Sequence, residues 1–290
     1  MQATVSKKST KETKPKTKKN VGNTVIFLIL CALVVVFLAP ILFIVINSFK
    51  GKFFISDNPF ALPTSQTFVG LSNYINGLEK TGFLSAIGWS FFITIGSVAV
   101  ILFFTSMTAY YITRVKSKFT SVLYYLFVFS MIVPFQMVMF PMVKLVDILH
   151  LANPVGMITY LGFGCGLSIF MFSGFIKSIP LEIEEAAMID GCNPLQTYFH
   201  IVLPILKPTA ITVAILNAMW IWNDYLLPYL VIGLSTKYKT IPVVIQMLVG
   251  SNGNRDMGAM MAMLVLAIIP IIIFYLICQT YYRRCCCRSC

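Results

Sequence analysis

Apolar residues in this sequence occur in long, continuous runs, and the charged positions between them divide the chain into segments. No Asp, Glu, Lys or Arg occurs in five stretches, which cover residues 20–49, 81–113, 119–143, 148–176 and 257–282. A sixth stretch, 208–236, carries one charged residue, Asp224. Each stretch is longer than the roughly 20 residues with which an α-helix crosses a 30 Å hydrocarbon core.

The runs are continuously apolar rather than alternating, which favours membrane-spanning helices over a β-barrel. The pattern predicts an all-α, polytopic membrane protein with six transmembrane helices. Three prolines, Pro40, Pro134 and Pro270, are expected to kink their helices or to sit beside satisfied carbonyl groups. The expected spans are about 25–48, 87–112, 120–143, 154–176, 208–231 and 258–281. They form one domain of residues 23–281, between a Lys-rich tail (1–22) and a Cys-rich tail (282–290).

The composition supports a membrane protein and indicates its orientation. The chain is 58% hydrophobic and 11% charged, whereas soluble domains are roughly 45–50% and 25%. Most of the 22 basic residues lie in the N-terminal tail, after the second and fourth spans, and at the C-terminus. Because positive loops stay in the cytoplasm, both termini are expected there. The net charge of +12 is thus mainly a topology signal, and no aromatic or glycine pattern suggests nucleic-acid binding.

Motifs of catalysis, metal binding and nucleotide binding are missing from the sequence. Its two histidines, His150 and His200, have no metal-ligand partner at helical spacing, and there is no G-x-x-x-x-G-K-[ST] phosphate loop. We therefore expect no metal site and no cofactor on this chain. If the protein uses ATP and Mg²⁺, another chain must bind them.

The polar loop between the fourth and fifth spans, residues 178–207, holds the densest acidic cluster of the chain, "EIEEAAMIDG". Pro180 and the glutamates after it suit a helix start, and Gly191 suits a helix end. Asn193, Pro194 and Gln196 predict a second helix with a capping box. On the first helix, four residues share one face that is nearly free of bulk: Ile183, Ala186, Ala187 and Asp190. That face suits close docking of a partner, although a solvated connecting loop is the simpler alternative.

Spacing within this loop carries a resemblance to a known family. Glu185-Ala186-Ala187, then Gly191, then Ile201-x-Leu203-Pro204 resembles the "EAA" signature of permease subunits in bacterial ATP-binding-cassette importers. Three further segments look like the carbohydrate permeases of the maltose type: "IDG" at 189–191, "WNDYLLP" at 222–228 and "MIVPFQMVMFP" at 131–141. The similarity runs from the first span to about residue 280.

The resemblance implies a function and a set of partners. The polar loop would contain the coupling helix, which docks in a cytoplasmic ATPase subunit, and the chain would form a sugar path with a second permease. Two ATPase subunits and an extracellular solute-binding protein would complete the importer in the bacterial cell membrane. The residues that match the coupling signature are Glu184, Glu185, Ala186, Ala187, Asp190, Gly191, Ile201, Leu203 and Pro204.

Four polar or aromatic residues near the predicted fifth span are candidates for the translocation path: Asn217, Trp222, Asn223 and Asp224. An ionised Asp at the bilayer centre costs about 2.5–3.5 kcal/mol on insertion scales, so Asp224 is expected near the outer end of its span. The alternative for this group is structural, with an interfacial Trp beside an Asn–Asp pair that caps or joins helices.

The last six residues, "CCCRSC", permit several interpretations. A cysteine cluster binds metal or accepts palmitate. Family members typically end differently, and a one-base frameshift of plausible codons for Tyr282–Cys290 would read I-E-G-V-A-A-G-A, which resembles the family terminus. We interpret the tail as a frameshifted terminus, which sequencing of the gene would test.

Two other functions remain open from the residues alone. An ion-coupled secondary transporter would carry paired intramembrane carboxylates or broken-helix signals in both halves, and Asp224 alone does not supply them. An integral membrane enzyme would need a catalytic constellation, which the sequence lacks. Co-purification with an ATPase subunit would distinguish an importer from both.

Overall fold

The computed structural model describes residues 21–163, 165–233, 237–249 and 256–288. Over these ranges the chain is helical, without a β-strand, and the predicted Lys-rich tail lies almost wholly outside them. The helices are α1 (Val21–Ser48), α2 (Lys52–Asp57), α3 (Ser72–Thr81), α4 (Phe83–Arg114), α5 (Lys118–Ser130), α6 (Phe135–Ile148), α7 (Pro154–Phe163), α8 (Gly166–Ile176), α9 (Leu181–Ile189), α10 (Pro194–Thr197), α11 (Leu203–Ile205), α12 (Lys207–Asn223), α13 (Leu226–Val231), α14 (Ile241–Met247) and α15 (Met257–Arg288), with a π-helical segment at Tyr198–Val202.

Within the described ranges, three unbroken helices are long and apolar enough to cross a membrane, and they coincide with the predicted first, second and sixth spans. They cover Gly22–Ser48, Phe83–Arg114 and Met257–Thr280. Three bent helix pairs also qualify, which gives up to six spans if each pair is one crossing. Of the three unbroken helices, α1 and α15 contain a proline, Pro40 and Pro270, whereas α4 contains none.

The predicted third span, 120–143, is wrong as a single helix. It is divided into α5 and α6, which meet at an angle of 108°. The break falls at Pro134, which lacks an N–H and disfavours helical backbone in the residue before it. The prediction of a kink at Pro134 is confirmed, and the kink is sharp enough to end one helix and start another.

The predicted fourth and fifth spans are also interrupted. The segment 154–176 consists of α7 and α8, which flank residues 164 and 165. The segment 208–231 consists of α12, which ends at Asn223, and the short α13. The break after Asn223 has a local cause. The Asp224 side chain accepts hydrogen bonds from the N–H groups of Leu226 and Leu227, the first two residues of α13.

The chain divides into two compact units, residues 1–43 and 44–290. The described part of the first unit is most of α1, whose apolar side chains are largely exposed on all sides. A helix that is apolar all round needs lipid or other helices as its surroundings. In the second unit α4 is central, since its buried residues recur every three or four positions along its whole length.

A glycine lies where α4 and α7 pack closely. A Cβ atom at Gly96 of α4 would lie 2.6 Å from Cδ1 of Ile158 in α7. Small residues allow membrane helices to approach closely, because packing rather than the hydrophobic effect holds them together in lipid. The larger of the two hydrophobic clusters that the described residues form is built around this region and includes Ile93, Ile101, Phe172 and Val202.

Candidate functional site

The polar loop begins with α9, a helix of nine residues. It starts directly after Pro180 and carries Glu182 and Glu184 in its first turn, where carboxylates complement the positive end of the helix. The helix ends before Gly191, whose φ is +89°. Such a φ is strained for residues with a Cβ atom. The predicted helix start and helix stop are both confirmed.

Backbone hydrogen bonds at the end of α9 form a Schellman motif. The N–H of Gly191 donates to the carbonyl of Met188, and the N–H of Cys192 donates to the carbonyl of Ala187, both at 3.0 Å. This pattern satisfies carbonyl groups that the end of a helix otherwise leaves free. The end of α9 is therefore fixed in a single geometry.

The second part of the loop starts with the predicted capping box. The Asn193 side chain accepts a hydrogen bond from the Gln196 N–H at 2.8 Å, and the Gln196 side chain accepts one from the Asn193 N–H at 2.9 Å. Pro194 occupies the first position of α10. The π-helical segment then follows before Pro204, which supplies no N–H for a regular α-helical bond.

The surface of α9 that faces away from the rest of the chain differs partly from the predicted docking face. Ala186 and Asp190 are exposed, as is Glu185 between the helix start and the small residues. Ala187 is buried, so the predicted face of small residues is wrong at this position. The most exposed apolar side chain of the loop is Ile189, at 87%.

Glu184 is also placed differently from the prediction. Its side chain is 1% exposed, and its Oε1 accepts a hydrogen bond from Arg114 Nε at 2.8 Å. Its Oε2 accepts a hydrogen bond from the Tyr110 hydroxyl at 3.0 Å. Arg114 also donates through Nη2 to Glu184 and to the carbonyl of Ile179. Glu184 therefore holds α9 to the end of α4 and does not present its carboxylate to a partner.

The turn of α4 that precedes Tyr110 holds the second part of the loop. The hydroxyl groups of Ser106 and Tyr198 lie 2.7 Å apart and share a hydrogen bond. The rings of Tyr110 and Tyr198 pack at a centroid distance of 5.3 Å. Ser106, Tyr110 and Arg114 are spaced four residues apart, so they share one face of α4. We call this face, with Glu184 and Tyr198, the α4 anchor.

Sequence reasoning missed the α4 anchor, because it interpreted Arg114 only as a topology signal. One sequence signal was available, since Arg114 is the first charged residue after a long apolar run and the loop holds several carboxylates. Nothing in the spacing indicates which carboxylate it pairs with, as 70 residues separate Arg114 from Glu184.

The remaining signature residues lie where the loop returns to the membrane. Ile201 and Leu203 are half-buried and Pro204 is exposed. Between and beside them Val202 and Leu206 are fully buried in the larger hydrophobic cluster. This part of the signature therefore packs the loop against the helices that form the larger hydrophobic cluster.

Asn217, a candidate for the translocation path, joins two helices. Its amide donates to the Ser168 hydroxyl of α8 at 2.9 Å and to the Val213 carbonyl at 2.8 Å. Its oxygen lies 3.7 Å from the Cys165 sulfur. With these contacts within the chain, the side chain of Asn217 connects α12 to α8.

The other three candidates for the path are not brought together around one space. Trp222 is buried, and its ring lies edge-on to Phe91 at 4.9 Å. Asn223 is exposed and donates to the Met219 carbonyl of its own helix. Asp224 accepts hydrogen bonds from the N–H groups of Leu226 and Leu227 at 3.1 and 3.4 Å. These contacts favour the structural alternative, in which Asp224 caps a helix.

A cavity of about 510 Å³ lies between α4, α12 and α15, and its lining is almost wholly apolar. Its walls include Phe91, Val98, Ala214, Trp222 and Phe274. No cluster of three His, Cys, Asp or Glu residues suited to a metal is present among the described residues. For the cysteines of residues 285–290, for which metal binding was an alternative, the structure describes no side chains.

The signature of the polar loop and the helical fold agree with the comparison against known proteins. Residues 101–284 match the family described as "Binding-protein-dependent transport system inner membrane component". The chain belongs to this family. It is thus a multi-pass membrane protein and the permease subunit of an ATP-binding-cassette importer, a transport component that works with a partner permease, an ATPase and a binding protein.

Two relatives are similar in sequence to most of the permease. The probable starch degradation products transport system permease protein AmyC of Thermoanaerobacterium thermosulfurigenes is 40% identical, over 83% of this chain and 87% of the relative. The multiple sugar-binding transport system permease protein MsmG of Streptococcus mutans is 36% identical, over 85% of this chain and 89% of the relative.

A solved structure has the same fold as the permease. It is the crystal structure of a bacterial ABC transporter involved in the import of the acidic polysaccharide alginate, with a TM-score of 0.74 and 24% sequence identity. The match covers 93% of this chain and 99% of the other. At this identity the likeness shows the shared helical architecture.

Proposed function

We propose that this permease imports a sugar or an oligosaccharide and that α9 is the coupling helix, which docks in a cytoplasmic ATPase subunit. A second, different permease chain would complete the path, and two ATPase subunits would hydrolyse ATP with Mg²⁺. A solute-binding protein on the outer side would deliver the substrate. The observation that carries this proposal is the exposed surface of a rigidly held α9.

The exposed surface of α9 has the properties of a docking site. Ile189 projects from it, and Met188 beside it is also exposed, so a partner would bury both. Glu185 and Asp190 add charge at the edge of these apolar side chains, and Ala186 leaves room for a close approach. Apolar anchors with a polar rim are typical of protein interfaces. We call the surface of these five residues the α9 docking surface.

The sequence supports an orientation in which the polar loop is cytoplasmic. The N-terminal tail and the connection after α4 are rich in lysine and arginine, whereas Asp57, Glu79 and Asp256 belong to connections that would lie on the other side. Positive residues stay in the cytoplasm during insertion. Both termini would then be cytoplasmic, on the same side as the α9 docking surface.

The substrate class is supported by the relatives. The names of AmyC and MsmG refer to starch degradation products and to multiple sugars, and a further relative from Bacillus subtilis, 29% identical, is named as a melibiose, raffinose and stachyose import permease.

Docking is tested by placing a charge on the α9 docking surface. Ile189→Glu should abolish co-purification of the ATPase subunits, because an isolated charge in an apolar contact loses its hydration. Leu62→Glu is the matched control, since Leu62 is also exposed, at 70%, and would lie on the outer side. ATPase binding by Ile189→Glu at the wild-type level would exclude α9 as the docking helix.

The substrate class is tested by transport. Cells that express the complete importer should accumulate radiolabelled maltotriose or another labelled oligosaccharide, and a deletion of this permease should remove that uptake. Competition with unlabelled sugars, amino acids and peptides then identifies the class. Competition by amino acids or peptides but not by sugars would overturn the sugar assignment.

A further inference from the structure

The coupling helix has two kinds of connection to the rest of the permease. Along the chain it is joined to α8 through a bend of 77°, and the loop continues into α12 through a bend of 74°. Through space it is joined to α4 by the ion pair of Arg114 and Glu184. Bends between helices are places where an angle can change, whereas a buried, multiply bonded ion pair holds two groups in one geometry.

The α4 anchor has the form of a rigid attachment. One carboxylate of Glu184 receives hydrogen bonds from both Arg114 and Tyr110, and Arg114 also reaches the carbonyl of Ile179 just before α9. One turn nearer the start of α4, Ser106 forms a hydrogen bond with Tyr198, which follows Gly191 in the loop. From Ser106 to Arg114 the contacts extend over about 12 Å of helix axis. A displacement of the loop therefore acts on α4 as a whole.

Near its other end, α4 is attached to a second segment, which contains α14. The hydroxyl of Ser90 in α4 accepts a buried hydrogen bond from the N–H of Ile241, the first residue of α14, at 2.9 Å. The ring of Trp89 lies edge-on to Tyr238, with centroids 4.7 Å apart. Ser90 and Arg114 are separated by about 36 Å along the helix axis, which is longer than the roughly 30 Å hydrocarbon core.

Between these two ends, α4 is suited to move as one body. It has no internal proline, unlike α1, α6 and α15, and prolines are the commonest cause of sharp kinks. Its buried stripe continues from Phe83 to Ala109. We infer that α4 is the lever of this importer. It carries displacement of the coupling helix, received through Arg114, Tyr110 and Ser106, to α14 on the opposite side through Ser90.

This inference rests on the proposed docking of α9 and adds four positioning residues to it. Arg114, Tyr110 and Ser106 act through the coupling helix, and Ser90 acts through α14. Rigid secondary structure with attachments at both ends is a physical route for coupling between distant sites. Loss of an attachment should leave ATP hydrolysis in place while less of it is converted into transport.

The experiment measures transported maltotriose, or whichever labelled oligosaccharide the importer accepts, per ATP hydrolysed. The complete importer is reconstituted in liposomes with variants Arg114→Lys, Tyr110→Phe and Ser90→Ala. Each should lower the ratio by roughly threefold to tenfold, as expected for the loss of one or more hydrogen bonds at a site that is at least half-buried. Two matched controls, Tyr111→Phe and Ser85→Ala, change exposed neighbours on the same helix and should keep the wild-type ratio.

A charge exchange gives a second measurement. Arg114→Glu and Glu184→Arg should each impair coupling, and the double variant should recover part of it, because the pair is restored with reversed polarity. A purely structural role would lower the yield of assembled importer but leave the transport ratio of each assembled complex unchanged.

The outcomes separate the lever from the function on which it rests. If the wild-type permease binds no ATPase subunit, the proposed docking fails and the lever fails with it. If the wild-type importer couples normally and the three conservative variants keep its transport ratio, docking stands and the lever is overturned. The lever is overturned by that result even if the charge variants fail to assemble, because the conservative variants decide it.

Discussion

Two polar regions among the described residues of this permease, the loop around α9 and the segment around Asp224, use their carboxylates differently. Glu184 in the loop is bound by Arg114 and Tyr110, which lie 70 and 74 positions away in the chain. Asp224 accepts hydrogen bonds from backbone groups two and three residues ahead. The first carboxylate joins distant elements, and the second shapes its own turn.

The two cases show how polar groups at a membrane boundary are stabilised. A local cap satisfies a helix end and needs no other part of the chain to be in place. A buried ion pair is stable only when both partners and their hydrogen bonds are present, since a single buried charge is strongly unfavourable. We therefore expect changes in the loop to have larger effects than changes near Asp224.

The largest effect is expected for Gly191→Val. The φ of +89° at Gly191 is incompatible with a β-branched residue, so the Schellman motif should open and α9 should lose its fixed end. Substrate-stimulated ATP hydrolysis or assembly should be abolished while membrane insertion persists. Gly174→Val is the control, because both positions have open space for a side chain but Gly174 lies within α8. Normal transport by Gly191→Val would contradict the docking of α9.

The next largest effect is a loss of stability, expected at Glu184 but not at the adjacent Glu185. Glu184→Ala should destabilise the purified permease by about 3 kcal/mol, because Arg114 loses its partner in a mostly buried site. Glu185→Ala should change stability by less than about 0.5 kcal/mol, since its side chain is exposed, and should weaken ATPase binding instead. Thermal unfolding in detergent and co-purification measure the two effects. Equal stability of both variants would show that the α4 anchor contributes little.

A smaller effect is expected at Asp224. Asp224→Ala should cost about 1 kcal/mol, the usual loss for a helix cap, while Asp224→Asn keeps an acceptor oxygen and should remain close to the wild type. Transport should follow stability in both variants. If Asp224→Asn is stable but transports poorly, the carboxylate belongs to the translocation path and the structural interpretation is wrong.

The smallest effect concerns a third carboxylate, which lies outside the spans. Asp256 pairs with Lys80 at 2.6 Å and accepts a hydrogen bond from the Ala259 N–H. Partial burial raises the pKa of Asp256, but Lys80, the Ala259 N–H and the more distant Lys52 outweigh it and leave the pKa below its usual value of 3.8. Because the folded pKa is lowered, this pair stabilises the fold above pH 3.8, and the contribution is lost as the pH falls through the lowered value.

The measurement for this pair is the pH dependence of unfolding. Between neutral pH and about pH 3, wild type should lose up to roughly 1 kcal/mol more than Asp256→Asn, since Lys80 is exposed and exposed pairs are weak. Parallel pH profiles for the two proteins would show that the pair does not contribute.

Several features of the fold were predictable from the sequence because their causes are local. The continuous apolar runs predicted α1, α4 and α15 with bounds close to those observed. The start of α9, its end at Gly191 and the capping box of Asn193 and Gln196 were also predictable, since each depends on residues within one or two turns. The spacing of the loop indicated the family for the same reason, as a signature is a local pattern.

Packing between distant segments determines which side chains of the loop face a partner and which hold the loop in place. The sequence treats Glu184 and Glu185 alike, and helical spacing puts Ala186 and Ala187 on one face, yet Glu184 and Ala187 are buried and their neighbours are exposed. That choice depends on where α4 passes beneath α9. Hydrophobic runs and caps are fixed by near neighbours, whereas the pairing of Arg114 with Glu184 exists only once packing brings two distant segments together.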